Sequence, residues 1–346
     1  MSDRRIFLDR GLGEIRGVVT LDGRPERLIV RRSDDDPRLT LGARLVGRVA
    51  SLEPALATAF LDLGSGAEAI LPFRPDARPV RGQALEVEIR GEPRRGKLAV
   101  ARVIGPAEGD PRLVAAAPDV AAELQALVSG VQLVEGPRAR EAADEAEDAA
   151  LEVLHPLPGG GTLAIEPTRA LTAIDVDLGE RKGPDAKRVT RQANLAALGT
   201  AARLLRLKGL GGIVVIDLVG RGHDGTALMA AARAAFGPDN PGVSIGPVGR
   251  FGTMELSLPR RTRPIAERLC RDEGGLSDRS LAQRLIRRLQ AEAASAPGAR
   301  LRASCASAVA AAAAPLAVLL ADQIGARFTI APDPVSPRER IEVAQA

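Results

Sequence analysis

The chain has 346 residues, which is enough for two or three domains with substantial cores. It contains six Phe and no Trp or Tyr, so its cores must be aliphatic and few aromatic rings are available to stack on nucleobases. A formal net charge of +4 is compatible with an anionic partner but does not require one.

The cysteines and the amino terminus favour a cytoplasmic protein. Cys270 and Cys305 form neither a CxxC pair nor a disulfide framework, as is typical of a reducing compartment. The charged amino terminus has no apolar stretch long enough for a secretory signal. An alanine-rich run at 303–321 is long enough to cross a bilayer, but alanine is weakly hydrophobic and Pro315 interrupts the run. We therefore expect a buried helix there and no membrane partner.

The first third of the chain has the patterns of β-structure. Residues 5–32 alternate between apolar and polar side chains around a hairpin turn in LDGRPE. Residues 42–104 contain five short β-rich segments joined by Gly and Pro turns, as in a small OB-type barrel that binds single-stranded nucleic acid. A barrel with a purely structural role has the same strand count. Residues 106–127 are a linker rich in Ala and Pro, followed by a short helix.

Helical and extended segments alternate in the rest of the chain. In chain order they are a polar helix at 137–152, a hairpin at 152–166, the central stretch 171–219, a helix at 225–236, strands at 243–246 and 250–258, a basic amphipathic helix at 280–293, and a final strand in ARFTIAPDP.

The central stretch 171–219 reads as strand, helix and strand. The helix has Asp185 as its N-cap, runs to Lys208 and stops at Gly209. The second strand contains the β-branched run 213–216, which is typical of a strand buried on both faces. A right-handed crossover of this kind makes the two strands parallel.

Each strand of this unit ends in an aspartate. Because ligands bind beyond the carboxyl ends of parallel strands, Asp175 and Asp217 are predicted to share one site. Mg²⁺ is usually held by one or two carboxylates together with water and phosphate oxygens. Strand-end carboxylates can also cap a helix or face solvent. The string DVDLG further resembles the DxDxT nucleophile motif of haloacid-dehalogenase-type phosphotransferases, although Gly179 replaces the Thr.

Several stretches together resemble the ribonuclease E/G family. They are GARLVGRVASLEPALATAFLDLG, EAILP, LPGGGTLAIEPTRALTAIDVD, ANLAALGTAARLLRLKGLGGIVVIDLV and RFGTMELS. The resemblance implies a multidomain protein of mixed α+β and α/β class. Its parts would be a split ribonuclease-H-like subdomain at 1–38 and 125–170, an OB-fold RNA-binding domain at 39–105, a linker at 106–124, a deoxyribonuclease-I-like nuclease domain at 171–265 and a small α/β domain at 266–346.

The resemblance also implies roles for individual residues. The aspartates that match Asp175 and Asp217 bind the catalytic Mg²⁺, for which Mn²⁺ can substitute. Asp177 stands where the family has an Asn that helps to hold the site, so we include it among the catalytic residues.

Three further residues match family positions that contact RNA. Phe60 matches a barrel Phe that stacks on RNA, while the usual second Phe falls at Ile70. Lys97 and Arg250 match a Lys and an Arg that contact the RNA backbone. Without the resemblance, the ordinary interpretations are a core Phe, a solvated Lys and a surface ion pair.

Two larger features of the family are missing from this sequence. The linker has no Arg-Thr pair of the kind that grips a 5′-monophosphate. In place of the CPxC zinc link there is a single Cys270, and one thiolate cannot make that site. We therefore expect neither zinc nor a zinc-linked dimer, while the oligomeric state stays open.

These features predict a Mg²⁺-dependent endoribonuclease that cleaves single-stranded RNA by in-line hydrolysis, leaving 3′-hydroxyl and 5′-phosphate ends, in RNA processing or decay. The sequence also allows two alternatives. One is a catalytically degraded relative that binds RNA, and the other is a phosphotransferase with Asp175 as its nucleophile.

Overall fold

A computed structural model describes residues 3–180, 185–239 and 242–346. Within these ranges the strands, numbered in chain order, are β1 (Arg4–Gly11), β2 (Glu14–Leu21), β3 (Arg24–Arg32), β4 (Arg44–Glu53), β5 (Thr58–Asp62), β6 (Glu68–Pro72), β7 (Ala84–Gly91), β8 (Ala99–Pro106), β9 (Arg112–Ala115), β10 (Leu133–Glu135), β11 (Leu154–Pro156), β12 (Thr162–Pro167), β13 (Thr172–Asp177), β14 (Gly212–Asp217), β15 (Ser244–Val248), β16 (Thr253–Leu258), β17 (Leu301–Ala306), β18 (Phe328–Asp333) and β19 (Ile341–Gln345). The α-helices are α1 (Val120–Leu127), α2 (Pro137–Leu151), α3 (Ala186–Lys208), α4 (Gly225–Phe236), α5 (Ile265–Leu269), α6 (Asp278–Ser295) and α7 (Ser307–Ile324).

The amino-terminal sheet has the strand order β10-β1-β2-β3. Strands β1 to β3 are antiparallel, and β10 joins β1 in parallel. Asp22 and Gly23 both have positive φ, 50° and 75°, as a two-residue hairpin turn requires, so the predicted turn is confirmed. Helix α1 packs on this sheet through Val120 and Leu124.

The second unit is a closed barrel of five strands. Its pairing runs β4-β5-β6-β8-β7 and back to β4, with β6 and β8 parallel, which is consistent with an OB-type barrel. Aliphatic side chains fill its interior, as the composition predicts. Strand β9 adds to β4 from the stretch 106–124, for which we predicted only a linker.

The central sheet has the order β11-β12-β13-β14-β16-β15, with β13 and β14 parallel. Helix α3 begins where the Asp185 side chain accepts hydrogen bonds from two backbone N–H groups and ends at Gly209 with φ 66°, as predicted. Strand β12 pairs with β13 along its length, so the predicted boundary at residue 171 falls between two strands of one sheet.

Only one face of the central sheet is fully covered. Ile174, Val176, Val214 and Ile216 are buried in a core shared with α3, α6 and the amino-terminal sheet. The prediction that β14 is buried on both faces is wrong, because Ile213 is 53% exposed. The second face, the open face, carries the alternate residues of β12, β13, β14 and β16.

The carboxyl-terminal part is a three-stranded sheet, β18-β17-β19, with helices α6 and α7. Helix α7 is long and apolar enough to cross a membrane by length and composition, which for a single helix is weak evidence of a span. The expectation of a buried helix is wrong, since only 17% of α7 is buried. The run also starts as strand β17, in which Leu301, Ala303 and Cys305 alternate inward.

A buried network of charges joins the amino-terminal sheet to α2 and α6. Arg16 contacts Glu147 at 3.1 Å, Arg287 contacts Glu14 at 2.6 Å and Glu147 at 3.1 Å, and Arg284 contacts Glu147 at 2.7 Å. Burial favours the neutral form of Glu147, but the three guanidinium groups outweigh it and lower the pKa of this carboxyl. Glu147 therefore stays ionised and fully paired inside the protein.

His155 on β11 is also buried, with 4% of its surface exposed. Its Nε2 lies 3.2 Å from the Glu152 carbonyl oxygen. Burial, assisted by the charge of Lys208, lowers the pKa of His155 from 6.5 to about 4. The sequence predicts that His155 is either structural or solvated. Its burial shows that it is structural.

This pKa makes folding stability sensitive to acid. As the pH is lowered from 6.5 to 4, the unfolded chain takes up a proton at His155 and the folded chain does not. The free energy of unfolding therefore decreases as the pH decreases across that window. We expect the wild type to lose about 2–3 kcal/mol more than His155→Gln between pH 7 and pH 4. Urea unfolding of both proteins at several pH values measures the difference, and parallel curves would contradict the assignment.

Candidate active site

Asp175 and Asp217 are neighbours at the carboxyl ends of β13 and β14. The two strands are parallel, and their register places Asp175 directly opposite Asp217. Adjacent strands lie about 4.8 Å apart. Both carboxylates are exposed on the open face, and neither has an ion-pair or hydrogen-bond partner among the described residues.

The alternation of β13 puts these groups on the open face. Thr172, Ile174 and Val176 point into the core, so Asp175 and Asp177 point away from it. Asp177 has a local structural role, because its Oδ1 accepts a hydrogen bond of 2.8 Å from the Gly179 N–H. It lies on the same face as the aspartate pair, two residues beyond the last paired position of β13 and β14.

The backbone after Asp217 is held from two sides. Asn194, buried in α3, donates from Nδ2 to the Val219 carbonyl at 3.0 Å and accepts the Val219 N–H at Oδ1 at 3.1 Å. The Leu218 N–H donates to the Gly252 carbonyl at 3.2 Å. Our sequence reasoning missed Asn194. The available signal was an amide on the otherwise apolar stripe of a helix.

Arg250 lies in the turn between β15 and β16, at the same end of the sheet as Asp217. Thr253, which begins β16, is the register partner of Asp217. The strand predicted at 250–258 therefore starts three residues later, because residues 249–252 form a turn closed by the Gly249 N–H to the Thr253 carbonyl at 2.8 Å. The Arg250 guanidinium carbon lies 4.4 Å from the ring centroid of Phe251.

Phe60 and Lys97 lie on the barrel, outside this constellation. Phe60 on β5 is 36% exposed and faces Ile70 on β6 as its cross-strand neighbour. Lys97 is exposed in the turn between β7 and β8. That turn lines a groove with Thr172 and Gly211, at the amino-terminal ends of β13 and β14. The structure thus places Lys97 at the opposite end of the central strands from the aspartate pair.

The donor set fits a magnesium ion and not a fully protein-ligated metal. Among the described ranges no group of three or more His, Cys, Asp or Glu side chains is arranged to hold a metal. Two exposed, adjacent carboxylates match the way Mg²⁺ is bound, since that ion keeps several waters. Cys270 and Cys305 are both free thiols whose pKa is raised by burial, which disfavours the thiolate that binds zinc.

Comparison with known proteins finds similarity in the segment that holds this site. Residues 116–261 match the sequence model of the ribonuclease E/G family. Ribonuclease E of Haemophilus influenzae is 34% identical over 151 residues, covering 40% of this chain and 16% of the relative. Ribonuclease E of Escherichia coli (strain K12) is 33% identical over 147 residues, 40% of this chain and 14% of the relative.

A plant protein gives a similar result. The chloroplastic ribonuclease E/G-like protein of Arabidopsis thaliana is 33% identical over 114 residues, which is 32% of this chain and 11% of the relative. In all three cases the alignment spans less than a fifth of the relative's length. Asp175, Asp217 and Arg250 lie inside the matched segment, whereas Phe60 and Lys97 precede it. Residues 116–261, which hold the aspartate pair, are thus similar to the ribonuclease E/G family.

Proposed function

We propose that this protein is an endoribonuclease that cuts single-stranded RNA at internal phosphodiester bonds. The observation that carries the proposal is the pair formed by Asp175 and Asp217. These carboxylates are register partners on an open sheet face, within the segment that matches the ribonuclease E/G family.

The negative charges of these two carboxylates would be stabilised by a bound cation. Like charges directly opposite each other across two strands destabilise a sheet. Asp175 and Asp217 have no Arg or Lys within ion-pair distance in the part of the chain that is described. We propose that they hold Mg²⁺, or Mn²⁺ in its place. When bound there, the ion would polarise the scissile phosphate and lower the pKa of a bound water.

The protein's own groups would position the RNA. Arg250, in the turn tied to the residue after Asp217, can neutralise a phosphate beside the cut. Asn194 fixes the backbone that follows Asp217 through its two hydrogen bonds to Val219, so the carboxylate is held in place before substrate arrives. In-line attack of water on the phosphate would leave 3′-hydroxyl and 5′-phosphate ends.

The barrel would supply further RNA contacts. Phe60 presents part of its ring on the outer surface of β5, where a base can stack, and Lys97 is exposed to a phosphate. We also propose a ribonuclease-H-like subdomain around β1–β3 and β10, a deoxyribonuclease-I-like fold for the central sheet, and a role in cytoplasmic RNA processing or decay. The order β3-β2-β1-β10, with β10 parallel to β1, supports the first of these.

Replacing either aspartate tests the metal pair. Asp175→Asn or Asp217→Asn removes one charged ligand and should slow cleavage by on the order of 10²-fold or more, with RNA affinity nearly unchanged. The measurement is a time course on internally labelled, unstructured RNA with Mg²⁺ and with EDTA, alongside RNA binding by fluorescence anisotropy.

Asp177→Asn is the matched control. An Asn Oδ1 can accept the same bond from the Gly179 N–H, so this variant should retain cleavage. Full activity of Asp175→Asn would refute the two-aspartate site. RNA that is bound but never cut would favour an RNA-binding relative, and a phosphorylated Asp175 would favour a phosphotransferase.

The barrel's contribution is tested by Phe60→Ala. If Phe60 stacks on a base, its loss should weaken RNA binding by roughly 1–3 kcal/mol. Affinity should also fall with salt, with a log–log slope of about −0.7 for each phosphate contacted. Anisotropy titrations at several salt concentrations report both quantities. An unaltered Phe60→Ala variant would mean that the exposed ring does not contact RNA.

The 5′ end of the RNA should have little influence on the rate. The stretch 106–124 lacks an Arg-Thr pair, and the nearby Arg102 and Arg112 are engaged with Glu88 and with backbone carbonyls. We expect RNAs with 5′-monophosphate, triphosphate or hydroxyl ends to be cut at rates within about threefold of one another, since a charge-assisted contact would give roughly 10- to 100-fold. Parallel time courses below saturation measure this. A tenfold preference for the monophosphate would show that the end is read.

A further inference from the structure

Phe251 is the most exposed of the six Phe side chains, with 77% of its surface open. Single exposed apolar side chains are common on protein surfaces and need no explanation by themselves. The position of this one is distinctive, because the ring lies in the turn between β15 and β16 at the end of the sheet that carries the aspartate pair.

Hydrogen bonds fix this turn beside Asp217. The Gly252 N–H donates to the Gly249 carbonyl at 3.0 Å, and the Gly252 carbonyl accepts the Leu218 N–H at 3.2 Å. Gly252 has φ 88°, and a Cβ there would lie 3.1 Å from His223 Nε2, so the close packing of the turn requires glycine. Phe251 therefore directly precedes Gly252, whose carbonyl is hydrogen-bonded to Leu218, the residue after Asp217.

The surroundings of the ring suit a nucleotide. The Arg250 guanidinium lies against it at 4.4 Å, and Arg250 has no carboxylate partner within the described ranges. A nucleobase is a flat π-surface that stacks on aromatic rings regardless of its identity, and an unpaired guanidinium beside it can bind the attached phosphate. An aromatic ring next to an uncompensated positive charge thus presents complementary surfaces to a base and its phosphate.

We propose that Phe251 and Arg250 form a base-stacking subsite for a nucleotide next to the scissile phosphate. This inference rests on the proposed endoribonuclease function and deepens it, because the subsite would set where along the strand the cut falls. It requires a base at one position relative to the cut and tolerates any of the four bases there.

Abasic RNA tests the subsite directly. In a series of otherwise identical single-stranded oligonucleotides, one abasic nucleotide is placed at each successive position around the cleavage site. The wild type should lose about 10- to 100-fold in kcat/KM at one position flanking the cut. Phe251→Ala should lose a similar factor on intact RNA and show no further loss when that same position is abasic.

Two variants serve as controls. Phe251→Tyr keeps an aromatic face and should keep both the rate and the abasic sensitivity. Phe60→Ala, the other exposed Phe, should leave the sensitivity at the flanking position intact. Circular dichroism and thermal unfolding of Phe251→Ala should match the wild type, because the side chain is largely outside the core.

A binding measurement separates this proposal from the nuclease activity. Anisotropy with the same oligonucleotides is repeated in the Asp217→Asn background, with and without Phe251→Ala. If Phe251→Ala and one abasic position weaken binding by less together than the sum of their separate effects, the subsite is supported. This holds even if the wild type cuts no RNA, and in that case only the proposed function fails. If Phe251→Ala cleaves intact RNA at the wild-type rate and is as sensitive to the abasic position as the wild type, the subsite proposal is wrong while the proposed nuclease function stands.

Discussion

The buried charge network around Glu147 is the constraint on which the arrangement of the other elements depends. Arg16 on β2, Glu147 on α2 and Arg287 on α6 are far apart in sequence, yet each is almost fully buried and paired. A buried ion left without its partner costs several kcal/mol, so these elements can pack in few alternative ways. Because α2 also packs against α3, and α3 covers the buried face of the central sheet, the network indirectly sets the position of β13 and β14.

Local signals made much of the central unit predictable. The cap at Asp185, the stop at Gly209 and the alternation along β13 act over a few residues, and they were sufficient to place Asp175 beside Asp217. The open face could not be predicted in the same way. A β-branched run such as 213–216 has the same appearance whether one or both faces are covered, and coverage is decided by distant elements. The charge network, Asn194 and the pairing of β9 likewise depend on partners remote in sequence.

The distribution of charge on the open face bears on how RNA would approach. Glu166 on β12 and Glu255 on β16 lie on this face, each two residues along its strand from the register partner of an aspartate, and all four carboxylates are exposed. A phosphate backbone is repelled by such a surface unless a cation lies between them. The basic groove lined by Lys97 is at the other end of the same strands. A groove that would attract RNA and the carboxylates that would hold a metal are therefore at opposite ends of these strands, and a cation at Asp175 and Asp217 would offset the local negative potential.

The two hydrogen bonds from Asn194 to Val219 have a consequence for motion. Segments that open independently of the rest of a protein usually have exposed backbone bonds and few buried contacts. The segment after Asp217 is instead anchored to the interior of α3, a helix at the centre of the largest core. The Val219 amide hydrogen, bonded to Asn194 Oδ1, should therefore exchange with solvent more slowly than an unbonded amide. The backbone that follows Asp217 is thus tied to a core helix and does not rely on contacts within its own loop.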